Sequence, residues 1–340
     1  MKIGGSSFKF NAVYLEAAAT VVGKMEMNGP LSAFFDLKNP DPYFGMKSWE
    51  QAETRLVELA IEQALKKKGL SDIDIEMGFG GDLVDQLVPT HYAMRQFNIP
   101  FLGTYSACAT VVQSLILAST FVDQNLASRA LAFASSHNNM AEKQFRTPVE
   151  YGGPKKLTAQ YTATGAGAGV ISSLPTDIQI ESATIGTIID ALQKDPTDMG
   201  TAMAPAAAHT ISRHFKALRL NPDDYDLILT GDLATIGSPI LVDLLKQEGY
   251  DISKRHQDCG QLLYSDDQPT FAGGSGAGCC AIVTFGYIVE QLRRKALKKV
   301  LIVATGALLN PLIVVQKETI PCVAHAIALS ATDLDGGEGS

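Results

Sequence analysis

The chain has 340 residues, with 28 Lys+Arg against 36 Asp+Glu and a formal net charge of −8. At 46% hydrophobic and 19% charged residues it is too apolar for intrinsic disorder, and it is long enough for two domains or one large two-part core. The acidic balance, with no Lys/Arg stripe, argues against nucleic acid as a partner, and no apolar run reaches the roughly 18 residues of a membrane span.

The opening MKIGGSSFKF has no long apolar stretch after its Lys and is not read as a signal peptide. Residues 48–68 carry apolar side chains at helical spacing, and Gly69 stops the helix. A strand over 74–83 ends in Gly-Asp-Leu. A short apolar strand follows at Phe101 and Leu102. Small residues then open 106–137 (SACATVVQSLILASTFVDQNLASRALAFASSH). This segment reads as a helix apolar on nearly every side, a polar turn at Asp123-Gln124, the basic Arg129, and an apolar strand over 130–134. A helix apolar all round is a buried helix, and a strand without alternation is covered on both faces. The Gly/Ala-rich 156–173 and the stretch 178–188 read as further strands, the glycines at 165–169 indicating close sheet packing. A helix over 202–218 ends before Pro222, and a strand over 226–233 again closes in Gly-Asp-Leu. The stretch around 247–270 (EGYDISKRHQD, SDDQP) suits an exposed hairpin or loop. Residues 276–307 (GAGCCAIVTFGYIVEQLRRKALKKVLIVATGA) then align without a gap on 106–137, with Lys299 in place of Arg129. The tail 332–340 is expected to fray.

The chain therefore repeats itself. Two halves, 1–175 and 176–340, each supply a sheet and a buried helix. No Pro/Gly linker separates them, which predicts an α/β body of layered sheets. The five cysteines are odd in number and form no CxxC pair, which suggests a reducing compartment and no structural zinc. Gly276-Ala277-Gly278-Cys279-Cys280-Ala281 fits a dinucleotide fingerprint loosely, but the repeat already explains these glycines as packing of the buried helix. No Walker A sequence is present, so no cofactor is expected.

Duplicated halves, a Cys at the mouth of the first buried helix and a Gly-rich opening at the equivalent place in the second resemble the thiolase superfamily. That resemblance covers nearly the whole chain and implies a five-layer α-β-α-β-α fold. More specifically, SSHNNMAEKQFRTPVEYGGPKK, DPTDMGTAMAPAAAHTI, LILTGDLATIGSPIL, FAGGSGAGCCA and VATGALLNP with the following QKETIP and AH resemble the stage V sporulation protein AD family of endospore-forming bacteria. The resemblance implies binding of dipicolinic acid, with or without calcium, and a part in moving calcium dipicolinate into the developing spore. It further implies membrane proteins of the spore dipicolinate channel as partners and peripheral association with the inner spore membrane. A homodimer paired through 129–135 is an expectation taken from the fold.

Cys108 is the centre of the candidate site. N–H groups at a helix mouth lower a thiol pKa and welcome anions, so Cys108 reads as a nucleophile or as the wall of an anion pocket; a small structural cysteine is the plainer alternative. Condensing chemistry needs a base and oxyanion donors. Ketoacyl synthases end the second-half strand in His-Gln-Ala-Asn, where this chain has Gly231-Asp232-Leu233, and the acceptor-only Asp232 would repel an oxyanion. The other catalytic position falls in 271–278, which holds neither His nor Asn, and Thr305-Gly306-Ala307 lacks the later thiolase Cys. The expectation is thus a non-catalytic binding protein. The alternative is a Cys-dependent acyltransferase or condensing enzyme.

For a dianionic ring, Gly273 and Gly274 would allow close backbone approach, and Arg146 or Lys317 would supply charge. His325 and His137 are candidate wall residues, and Asp232 would turn to calcium if the metal enters with the ligand. The plainer alternatives are solvated surface charges for the cations, a packed core residue for His325 and a loop cap for His137. His91, His209, His214 and His256 read as surface.

Overall fold

A computed structural model describes residues 2–145 and 155–333. In chain order its framework begins with β1 (Tyr14–Val22), α1 (Trp49–Lys66), β2 (Met77–Gly81), β3 (Phe101–Gly103), α2 (Thr110–Asp123), β4 (Arg129–Ser136) and β5 (Gly165–Ser172). It continues with β6 (Ile178–Thr184), α3 (Met199–Leu218), β7 (Leu227–Thr230), α4 (Ala234–Gln247) and β8 (His256–Asp258). The helix α5 (Ala277–Ile282) runs on through a π-helical stretch, Val283–Ile288, into Val289–Arg293; β9 (Lys299–Ala307) and β10 (Cys322–Ala331) close the chain.

The repeat is explicit in the sheets. The first half orders its strands β3-β2-β4-β5-β1 and the second β8-β7-β9-β10-β6, and the two meet at one residue pair, Tyr14 with Gln179. In each, the first three strands run parallel and the last two pairings are antiparallel. Each half also carries a bulge at the same place, between Leu15 and Ala17 in β1 and between Ile180 and Ser182 in β6. The residue at each bulge is a glutamate. Glu16 pairs with Arg129 at 2.8 Å, and Glu181 with Lys299 at 2.6 Å. The basic residue heading each apolar strand thus has a matching partner in its own half.

Three clusters of buried side chains define the layers. The central one joins α2 and α5 to the facing sides of both sheets. A second packs α3 and α4 on the outer face of the second sheet, and a third packs α1 on the outer face of the first. This is the α-β-α-β-α order. Ser48 starts α1 by accepting the Gln51 N–H, which satisfies one of the donors a helix start leaves open. Where α2 meets β9 the approach is close: a Cβ at Gly306 would lie 2.2 Å from the Ser106 carbonyl oxygen.

The structure corrects several expectations. The stretch 247–270, expected as an exposed hairpin or loop, is exposed loop only in part. It contains β8, which extends the second sheet in parallel with β7, and Asp258 at its end is buried, bonding Thr230 Oγ1 and three backbone N–H groups. Polar composition was misleading there because this carboxylate serves as an internal cap. The strand expected over 156–173 begins only at Gly165; Tyr161–Thr162 pairs separately with Gly274–Ser275. His214 is not at the surface. It is buried on α3, with Nδ1 at 2.9 Å from Thr184 Oγ1 and Nε2 at 2.7 Å from the Tyr225 hydroxyl. His256 is half-buried on β8, 2.9 Å from Thr230 Oγ1. Finally, β4 cannot pair with a second copy through 129–135, because β2 and β5 already occupy both its edges. Along the main path of strands the free edges are β3 and β8.

Candidate functional site

Cys108 is delivered by the turn between β3 and α2. Ser106 N donates to Thr110 Oγ1 at 3.1 Å, Thr104 and Ser114 share a hydroxyl contact of 2.8 Å, and Ala107 takes a φ of +49°. A left-handed alanine is strained and persists only where its surroundings fix it. The turn sets Cys108 on the wall of a cavity of about 510 Å³. Residues from both halves line it: Leu83, Tyr105, Phe145 and Gln160 from the first, Met199, Ser275, Leu309 and Val314 from the second.

Behind Cys108 lies a polar network. The sulfur is 3.8 Å from Ser275 Oγ, and Ser275 donates to Asp232 Oδ2 at 2.8 Å. Asp232 Oδ1 accepts from Thr305 Oγ1 at 2.5 Å, and Gly276 N reaches Oδ2 at 3.3 Å. Both carboxylate oxygens are thus engaged inside the protein, which leaves Asp232 turned to these donors and not displayed to a metal. Burial raises the Asp232 carboxyl above its ordinary range, against these hydrogen bonds. Burial first, and then the Asp232 charge, push the Cys108 thiol well up; Ser275 and the Gly276 N–H oppose this by less. This is opposite to the lowered thiol expected at a helix mouth: desolvation and the Asp232 carboxyl outweigh the bonds from Ser275 and the Gly276 N–H.

His325 sits on β10, buried, one step back from the cavity. Gly186 N donates to its Nδ1 at 3.2 Å, so Nε2 carries the proton and donates to Ser106 Oγ at 3.3 Å. In this tautomer the ring supplies a donor and cannot take a proton from Ser106. Burial pushes its pKa down to about 4, so it is neutral near neutrality. No imidazole hydrogen-bonds to Cys108 among the described residues.

Of the described residues among those singled out from sequence as site candidates, Cys108 alone is on the cavity wall. Asp232 and His325 stand behind it. His137 caps a loop elsewhere, bonding the Pro42 carbonyl at 2.8 Å through Nε2 and the Asn139 N–H at 3.2 Å through Nδ1, 5.5 Å from the Trp49 ring. Gly273 and Gly274 pack against Gly260 and Tyr264 instead of opening onto the cavity. Lys317 is exposed, and its carbonyl accepts from Lys194. Arg146 lies outside the described residues.

Sequence reasoning missed Ser275, Tyr105, Gln160, Thr162 and Thr197 on the wall, and the adjacent Lys155 and Lys156. The lysine pair was a usable signal, two neighbouring cations after Gly-Gly-Pro. Lys155 pairs with Glu142, and Lys156 with Asp195 at 2.7 Å. Among the described residues no group of three or more His, Cys, Asp or Glu side chains is arranged to hold a metal.

A profile of the family described as stage V sporulation protein AD matches residues 4–330. Stage V sporulation protein AD of Bacillus subtilis (strain 168) is 51% identical over 315 residues, covering 93% of both chains. Among solved structures, cerulenin-bound OleA of Xanthomonas campestris superposes with a TM-score of 0.60 at 13% identity, covering 94% of this chain and 98% of that one. The 3-oxoacyl-[acyl-carrier-protein] synthase III of Aquifex aeolicus VF5 gives 0.55 at 13% identity, covering 94% and 99%. At that identity these two speak to the fold, which is thiolase-like.

Proposed function

The chain belongs to the stage V sporulation protein AD family, and from that premise we propose that it binds dipicolinic acid without transforming it and supports uptake of calcium dipicolinate into the developing spore. The observation that carries the non-catalytic part is the carboxylate of Asp232 beside Cys108. Burial first, and then this carboxylate, hold the thiol well above its ordinary range, and an acceptor-only group stands beside the sulfur where condensing chemistry needs donors. The ligand reading is supported by the cavity. Its wall is largely apolar, as a flat aromatic ring requires, with hydroxyls at Thr162, Thr197 and Ser275 and two lysines. A dianion entering there competes with Glu142 and Asp195 for the lysine ammonium groups.

Titration calorimetry with dipicolinate, with and without calcium, tests this. Binding is expected, weakened in Ser275→Ala and Cys108→Ala. No heat at about millimolar ligand, the weak end of specific recognition, sinks the proposal.

One observation favours the alternative of acyl transfer: Cys108 faces a cavity from a strained turn at a helix start. Incubation with acetyl- and longer acyl-CoA, followed by mass spectrometry, decides between them; a thioester on Cys108 with turnover selects the enzyme. Among the described residues no helix is long and apolar enough to cross a membrane. We further propose, from the family membership, attachment to the inner spore membrane through membrane proteins of the dipicolinate channel. A homodimer, if formed by sheet pairing, uses the edges at β3 or β8.

A further inference from the structure

Beside the cavity, one bulky side chain stands in a conformation that its own chemistry disfavours. Phe271 takes a φ of +58°, in the left-handed region that glycine adopts freely and that strains a residue with a Cβ. Phe44 and Leu87 share that region, but both are buried and packing supports them. The Phe271 residue is 43% exposed, so packing supports it less. Its backbone is fixed from both sides. Phe271 bridges to Gln160, Ala272 N donates to the Ala159 carbonyl at 2.9 Å, and the Ala272 carbonyl accepts from Thr235 N and Oγ1, each at 2.9 Å. Strain that the surroundings enforce beside a binding cavity points to a function for the side chain held there.

What the ring touches is a cation of the cavity wall. Lys155 Nζ lies over the Phe271 ring, 6.0 Å from its centroid, and the same ammonium pairs with Glu142. The Lys155 side chain is 22% exposed, against 63% for Lys156 in its pair with Asp195. A lysine is a point charge on a flexible stem, so a ring face and a carboxylate together hold it in one place. The more shielded of the two ammonium groups is also the less screened by salt. We propose that Phe271 is a positioning residue for ligand recognition: its ring holds the Lys155 ammonium at the cavity wall, and that ammonium takes a carboxylate of an aromatic dianion entering the cavity. The guest carboxylate replaces Glu142 as counter-ion while the ring contact stays. For its ligand this assignment rests on the dipicolinate reading.

Titration calorimetry with dipicolinate tests it. Phe271→Leu keeps an apolar side chain and removes the π face, whereas Phe271→Tyr keeps the ring. Affinity is expected to fall about threefold in Phe271→Leu and to be retained in Phe271→Tyr. Lys155→Gln is expected to lose about tenfold, and Lys156→Gln clearly less. Equal losses from the two lysine variants, or from Phe271→Leu and Phe271→Tyr, overturn the proposal. The placement of Lys155 is read without ligand, in the full chain with its lysines carrying carbon-13 methyl groups, which keep the charge. The Lys155 methyl resonance is expected upfield of the other lysines through the ring current of Phe271. It should join them in Phe271→Leu and stay displaced in Phe271→Tyr. A Lys155 resonance that Phe271→Leu leaves in place overturns the proposal whatever the calorimetry gives. No wild-type binding instead sinks the dipicolinate reading, and the ligand half of the proposal with it.

Discussion

A thiol at the mouth of a helix is ordinarily helped toward thiolate by the N–H groups there, yet at Cys108 burial and the Asp232 charge act on the same sulfur in the opposite direction. Asp232→Asn keeps the shape and removes the charge, so alkylation of Cys108 at mildly alkaline pH is expected to quicken about tenfold, the equivalent of one pKa unit. Peptide mapping after timed iodoacetamide exposure reads this; an unchanged rate assigns the shift to burial alone. Glu26 makes a second, independent statement. Burial raises its carboxyl from the ordinary 4.5 to about 7, so between these values the native state holds a proton the unfolded chain has lost. Its contribution is full below about 4.5 and disappears as pH rises through about 7, some 3 kcal/mol in all. Denaturant unfolding across that range is expected to show Glu26→Gln gaining on the wild type by that order. Residues of this kind were poorly legible in the sequence. Cys108 stood out because the repeat placed it at a helix mouth. Ser275, His214 and Glu26 are single polar letters whose roles come from partners far along the chain, such as Asp232, Tyr225 and Tyr264, and no local periodicity announces them.

The elements were far more readable, for a physical reason. A helix that must lie between two sheets can carry almost no polar face, so α2 and α5 are visible as helices apolar on nearly every side, and β4 and β9 as strands without alternation. The short edge strand β8 escaped because its three residues, His256, Gln257 and Asp258, are all polar, and its position is fixed by backbone pairing to β7 and by the Asp258 cap. Close approach between elements is equally invisible in a pattern of apolar letters. Gly306→Ala would drive a methyl against the Ser106 carbonyl, separating α2 from β9, and is expected to destabilise by roughly 3 kcal/mol. Gly69→Ala, at a φ of +64° in open space, is expected to cost only about 1 kcal/mol. Calorimetric melting of the two variants beside the wild type checks the ranking, and equal shifts contradict it.

At the level of the molecule, the duplicated halves share one interior. The central cluster takes α2 from the first half and α5 from the second, and both sheets close over it, so neither half can bury its own apolar helix alone. The full chain is therefore expected to unfold in a single calorimetric transition, and a fragment of residues 1–175 to lack native near-ultraviolet dichroism and to bind hydrophobic dyes. Two resolved transitions, or a cooperatively folded fragment, would falsify this. The pairing of the halves was legible from the repeat, whereas the free edges of the assembled sheets were not, because which strand ends up outermost depends on strand order, and order is not written in any one strand.

The repeat that superposes 106–137 on 276–307 sets Gly278 opposite Cys108. A side chain at Gly278 would collide with the Gly165 carbonyl at 2.3 Å and with Ser136 Oγ at 2.7 Å. Of the two equivalent positions, the one in the second half is filled by main chain, and Cys108 in the first faces the cavity. Under the proposed binding, titration is therefore expected to give one ligand per polypeptide, and two would contradict this asymmetry.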